Sequence, residues 1–275
     1  MTALPRRIAT NLVSWCRWHA RPPRMQVRPL TPSLAVVVAL VLAVVVAAMF
    51  SLDTAASDWA RHLPPSFRAV FEEITDFGRS AVFLYPLGVL LLLIAAFSSA
   101  ALPRLAQGVL AALAARLGFL FIAIGAPSLF DTIVKRLIGR ARPYVGGHDN
   151  PFLYHPFVWR PEYASMPSGH ATTAAAAAMA IGAMWPRARP LMWLYALIIL
   201  FSRIVVVAHH PSDVIAGALV GALGAMMVQR AFAARRLVFS ASDLQPYPWP
   251  SWRRLKAVAV LIAGSSAPSA TKQGL

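Results

Sequence analysis

Three short stretches of this chain carry residue types that can grip a phosphate and move it: Lys135 with Arg142-Pro143, then Pro167-Ser168-Gly169-His170, then Ser202-Arg203 followed by His209 and Asp213. Lysine supplies a compact positive charge, and arginine a planar fork matched to phosphate oxygens. Ser168 adds a hydroxyl donor. Gly169 lacks side-chain bulk, so backbone N–H groups at a helix start can approach an oxyanion there. Pro211 marks another helix start, because its fixed φ and missing N–H suit a first helical turn. Asp213 then falls in that first turn, where it can face back toward His209. A carboxylate on one imidazole nitrogen fixes the tautomer and leaves the other lone pair free to attack. His170, in its protonated form, can donate to an oxygen as that oxygen leaves. His210 competes with His209, but it occupies the restricted position before Pro211. His209 is therefore the expected nucleophile.

Each stretch also has a plainer reading when taken alone. Asp213 can be a helix cap, Pro-Ser-Gly-His an ordinary helix start, and Arg136 and Arg140 headgroup anchors at a membrane edge. Arg203 is harder to dismiss. It sits in an apolar run, residues 191–207, where a charge is costly unless it faces a polar interior. Along a straight helix it would lie ~9 Å from His209.

The elements that must position these groups are apolar helices. The chain is 58% hydrophobic and only 13% charged, with a mean hydropathy of +0.61, against roughly 25% charged residues in ordinary soluble domains. A helix needs about 20 apolar residues to cross a bilayer. Six runs qualify or come close: residues 32–52, 81–102, 117–133, 171–185, 191–207 and 214–228. The expected fold is all-α, a polytopic membrane helical bundle of about six transmembrane helices. Phe67, Val70, Phe71 and Ile74 fall on one face of a short amphipathic helix between the first two spans. The segment 257–264 is too short to cross, and the chain from Phe239 onward reads as irregular. The domain division is a basic arm over 1–31, a membrane domain over 32–233 with its motif core at 135–213, and a tail over 234–275.

The net charge of +16 reads as topology. Arg6, Arg7, Arg17, Arg21, Arg24 and Arg28, then Arg104, Arg116, Arg187, Arg189, Arg230, Arg235, Arg236, Arg253, Arg254 and Lys256, all fall on one side of a six-span layout. Every carboxylate except Asp243 falls on the other. The positive-inside rule makes the basic side cytoplasmic, with both termini there and the phosphate-handling residues facing the periplasm. Nucleic acid is not an expected partner, since no aromatic-basic interleaving accompanies the charge. The single cysteine, Cys16, permits no internal disulfide. No metal-ligand spacing is evident, and fixed cations can do a metal's work on phosphate, so neither metal nor cofactor is expected.

Together, Lys-x6-Arg-Pro, Pro-Ser-Gly-His and Ser-Arg-x5-His-x3-Asp in this order resemble the type-2 phosphatidic acid phosphatase superfamily. That superfamily also includes bacterial polyprenyl-diphosphate phosphatases and vanadium-dependent haloperoxidases. The resemblance implies that Lys135, Arg142, Ser168, Gly169 and Arg203 bind the phosphoryl oxygens. It further implies that His209 attacks phosphorus, Asp213 supports it, and His170 protonates the leaving group through a phosphohistidine intermediate. The implied enzyme is an inner-membrane hydrolase acting on a membrane lipid. Undecaprenyl diphosphate, phosphatidic acid, phosphatidylglycerophosphate and lipid A are the candidate substrates. The same pocket also suits a lipid phosphotransferase, and less well a vanadate-dependent haloperoxidase or an anion carrier. Tyr154, His155, Arg160 and Glu162, in the loop before the second motif, are candidate headgroup contacts.

Overall fold

A computed structural model describes residues 3–27 and 32–265; Arg28, counted above with the basic arm, lies outside them. The described residues are helical in ten α elements: α1 (Ala3–Ala20), α2 (Pro32–Ser51), α3 (Asp53–Arg61), α4 (Pro65–Asp76), α5 (Ser80–Phe97), α6 (Arg104–Ile138), α7 (Gly169–Met184), α8 (Arg189–Val205), α9 (Pro211–Ala234) and α10 (Trp252–Ser265). The expected all-α bundle is what forms. Among the described residues, five stretches are long and apolar enough to cross a membrane: Pro32–Ser51, Pro65–Phe97, Arg104–Ile138, Pro186–Val205 and Pro211–Ala234. The sixth expected span is α7, which has 16 residues and a length of ~24 Å. It can be short because it faces protein rather than lipid: Ala171 to Ala178 are all buried, between α6, α8 and α9.

Small residues set this centre. A Cβ at Gly217 would run into the backbone of Ser168, and one at Gly221 into the backbone of Thr172. The Gly-x3-Gly pair on α9 therefore lets two helix backbones approach closely and brings the start of α9 against the start of α7. The bond from Ser168 N to Asp213 O, at 3.0 Å, locks those two starts together.

The amphipathic helix expected between the first two spans is α4. Its Phe71 ring meets Phe201 of α8 edge-on at 5.6 Å, so part of its apolar face is used by the protein itself.

The ends of the chain are more ordered than their composition suggests. Asn11 of α1 donates to the carbonyls of Ala95 and Ser98 at the end of α5, and Arg24 N donates to Ala234 O. Beyond α9, Val238 and Phe239 are fully buried, and Phe119 lies edge-on between Phe239 and Phe232. Val258 of α10 packs with Leu102, Ala106 and Val109. The Pro/Trp-rich tail is thus a strap over the α6 N-terminal half. Its apolar residues are too irregularly spaced for periodicity to reveal this.

Candidate active site

The site is assembled where α6 ends, α7 and α9 begin, and α8 turns back. Helix α6 stops at Gly139, whose φ of 65° is left-handed. A Cβ there would strike the His155 carbonyl. That turn separates Lys135, in the last helical turn, from Arg140 and Arg142 in the loop.

Helix α8 stops earlier than its apolar run. Val207 takes a φ of 54°, with Val207 N bonded to Ile204 O and Ala208 N to Arg203 O. This is a Schellman end with valine where glycine is usual. It folds the chain back so that His209 N reaches Arg203 O at 3.3 Å, far closer than a straight helix allows. Helix α9 then opens with Pro211 after His210 as its N-cap, and Asp213 is the third residue. Asp213 Oδ2 accepts from His210 N at 3.0 Å.

These turns gather all eight sequence-nominated residues. His170 lies under the field of Arg203, His209 and Lys135, and Arg203 under that of Arg142. A Cβ on Gly169 would come within 2.9 Å of Lys135 Nζ, and Ser168 is bonded to Asp213 as above. Lys135 itself is paired with Asp131 at 2.5 Å, and Asp131 also accepts from Thr172.

The support around His209 is less direct than its spacing from Asp213 suggests. His209 Nδ1 is 3.9 Å from Asp213 Oδ2, too far for a hydrogen bond. Ser165 bridges them: its hydroxyl donates to Asp213 Oδ2 at 2.6 Å and lies 3.3 Å from His209 Nδ1. With that proton given to the carboxylate, the Ser165 oxygen accepts from Nδ1–H and leaves the lone pair on Nε2.

The two adjacent histidines differ sharply in protonation. Burial pushes His209 down to about 4, aided by Arg203 and Arg142 and opposed by Asp213. Burial also acts downward on His210, but Asp149 and Asp213 outweigh it and raise this residue to about 9. His210 Nε2 is 2.9 Å from Asp149 Oδ1. At neutral pH His209 therefore keeps a lone pair and His210 does not.

Arg140 overturns its reading as a headgroup anchor. It is fully buried, bonded to Asp53 at 2.7 Å, to Asp213 at 2.5 Å and to Ser212 at 2.7 Å. Asp53 also accepts from Ser212 N. Sequence reasoning missed Asp53, Ser165, Ser212 and Asp149, and also Thr75, whose hydroxyl accepts from Arg203 at 2.7 Å. Arg79, which pairs with Asp76 at 2.8 Å, adds its field to His170 and Arg203. Among the loop residues offered as headgroup contacts, Tyr154 bridges to Arg140, Glu162 O accepts from Arg142 N, and His155 packs edge-on against Tyr163.

Several buried polar atoms here have no hydrogen-bond partner: Ser168 Oγ, Arg142 Nε and Arg203 Nε among the nominated residues, and Arg136 Nε and Nη1 and His210 Nδ1 beside them in the chain. Buried polar groups are nearly always satisfied, so the open donors of Ser168, Arg142 and Arg203 can receive an anion's oxygens.

Residues 116–237 match the profile of the PAP2 superfamily. All three motifs lie inside this matched segment, whereas Asp53, Thr75 and Arg79 reach it from the segment before. A "Lipid A 1-phosphatase" of Rhizobium johnstonii is 36% identical over 137 residues, which is 50% of this chain and 55% of that protein. Its namesake from Rhizobium etli is 35% identical over 137 residues, 50% of this chain and 58% of its own. The match thus spans little more than half the length of these curated relatives. Among solved structures, a transmembrane PAP2-type phosphatidylglycerolphosphate phosphatase from Bacillus subtilis aligns at 20% identity with a TM-score of 0.47, over 71% of this chain and 93% of that one.

Proposed function

We propose that this protein is a membrane lipid phosphatase that releases phosphate from a phosphorylated lipid of the lipid A type. The open buried donors of Ser168, Arg142 and Arg203 around a neutral histidine carry the reading. The two Rhizobium relatives direct the choice of lipid.

In the proposed reaction, Arg142, Arg203, Lys135, Ser168 and the Gly169 N–H hold the phosphoryl oxygens and neutralise their charge, which is most of what phosphoryl transfer demands. His209 Nε2 attacks phosphorus in line. The bond from phosphorus to the bridging oxygen breaks, and His170 gives that oxygen a proton. Burial and the surrounding cations hold His170 unprotonated in the empty site; it gains this proton when the bound phosphate's negative charge offsets those cations. Water then attacks the phosphohistidine while His170 takes back a proton, and the N–P bond breaks to free phosphate. Asp213, working through Ser165, holds Nδ1 protonated and balances the positive ring as it forms.

The acyl chains of the substrate lie among α2, α5 and α8, which are studded with exposed apolar residues such as Leu40, Val89 and Leu197. We place the reaction on the periplasmic side of the inner membrane, with the basic α1 and tail in the cytoplasm. Phosphate release from lipid A, phosphatidic acid, phosphatidylglycerophosphate and undecaprenyl diphosphate in mixed micelles tests the substrate. Lipid A is expected to lead, and a rate on it below all the others would redirect the assignment. Cys16 is exposed on α1, so an impermeant thiol reagent should label it only after cells or spheroplasts are permeabilised. Labelling of intact spheroplasts would reverse the orientation.

A further inference from the structure

A groove lined by arginines lies at the far end of the bundle. Arg104 opens α6 and lies roughly 45 Å from Lys135 by helical rise. From there a cavity of about 550 Å³ runs along α6 beneath the 237–250 strap and the start of α10. That volume is in the range of small-molecule sites. Arg104, Gly108, Ala112 and Arg116 follow one another at i, i+4 spacing along α6, and Arg254 of α10 also lines the groove. The groove is open at Gly108: a Cβ built there meets nothing within 4 Å.

The charge in this groove is unbalanced. Arg116 is only 4% exposed. It donates to the carbonyls of Ala112, Tyr247 and Pro248 at 2.8–3.0 Å, and its guanidinium lies 5.0 Å from the Trp249 ring centre. Trp249 is itself held by stacking on Trp185 at 5.2 Å. Arg116 Nε has no partner, and no carboxylate is among the residues lining the groove. A buried guanidinium given only carbonyls and an open N–H is costly to maintain, and an anion in the groove would remove that cost.

The groove's position names the source of the anion. Tryptophans gather at membrane–water boundaries, and Leu105, 45% exposed, lines the groove beside Arg104. An acyl chain can therefore lie against α6 while its headgroup reaches the arginines. Basic pockets between membrane helices recognise anionic headgroups in this way. We propose that this groove binds the phosphate-bearing headgroup of an anionic phospholipid, in the leaflet opposite the reaction centre.

The test uses the full chain in phosphatidylcholine nanodiscs doped with photoactivatable phosphatidylglycerol or photoactivatable phosphatidylcholine, with crosslinks mapped by mass spectrometry. The phosphatidylglycerol probe should label residues 104–116 or 247–254 at least about ten-fold more than the phosphatidylcholine probe, from roughly 1 kcal/mol per basic residue. Arg104→Gln with Arg254→Gln should erase that preference while leaving melting temperature and phosphate release unchanged. Gly108→Leu fills the groove with every arginine kept, and should block labelling equally. Equal labelling by the two probes, or labelling that survives both variants, would overturn the site. Displacement of the lipid probe by millimolar inorganic phosphate would overturn the lipid as its source.

Discussion

Two interleaved sets of residues meet at the site end of the bundle, and they are built on opposite terms. In the first, charges close on charges: Arg140 is held between Asp53 and Asp213, and His210 lies between Asp149 and Asp213, although His210 Nδ1 and one Asp149 oxygen have no hydrogen-bond partner. In the second, Arg142, Arg203 and Ser168 each keep a buried polar atom open, around a histidine held neutral. The members are near neighbours in sequence: Arg140 with Arg142, His210 with His209, Ser165 with Ser168. Residue type and spacing do not separate scaffold from reagent. What separates them is whether the fold sets a carboxylate against the charge, and Asp213 joins the two sets by belonging to both.

The contrast breaks most visibly at the adjacent histidines. His209→Ala should lower phosphate release at least about 10³-fold, since it removes the group proposed to accept phosphorus. His210→Ala should act mainly on stability, and a comparable catalytic loss with an unaltered melting temperature would exchange their roles. Because His209 stays neutral down to about 4, activity on a leaving group that needs no proton should persist at pH 5 and fail only as pH approaches 4. A fall centred near 6.5 would contradict the low value assigned to this ring.

The arginines should separate in kind. Arg142→Gln or Arg203→Gln should cost about 10²–10³-fold in turnover with the fold intact, as for other lost oxyanion donors. Arg140→Gln leaves two buried carboxylates facing a neutral group, and should destabilise the protein by about 3–5 kcal/mol, read as lost yield and melting temperature in detergent. Full stability in that variant would end the scaffold reading of Arg140.

Smaller effects sharpen the join between the sets. Ser165→Ala removes the bridge to Asp213 and should lower kcat about ten-fold with KM little changed, from the loss of one charge-assisted hydrogen bond. An equal fall in kcat/KM for a Ser165→Thr variant would argue for packing instead.

At His210 the raised value means that its stabilisation is fully present below about 6.5 and fades as pH rises through about 9. Asp149→Asn should therefore cost on the order of 2 kcal/mol near pH 6 and much less at pH 10, measured by melting in detergent across that range.

Much of this site was legible before any coordinates. The three motifs lie at helix ends because each carries its own local signal: Gly139 for a stop, Pro211 for a start, Gly169 for close approach. The remainder depended on distance. Asp53 is 87 residues from Arg140 along the chain, and nothing in its surroundings announces a buried ion pair. Arg140 and Arg136 share one local context, so only tertiary burial tells them apart. The end of α8 was hidden because Val206 and Val207 continue the apolar run, and hydrophobicity does not register a left-handed φ. Ser165 looked like ordinary loop polarity until the 3.9 Å gap between His209 and Asp213 gave its hydroxyl a purpose.

The central claim is that His209, and not its neighbour, takes the phosphoryl group. Rapid mixing with phosphate-labelled lipid, an alkaline quench and peptide mapping test it most directly. The label is expected on His209, formed no slower than phosphate release and absent from His209→Ala. Label on His210 or His170, or turnover at full rate with no labelled histidine at any time, would contradict it.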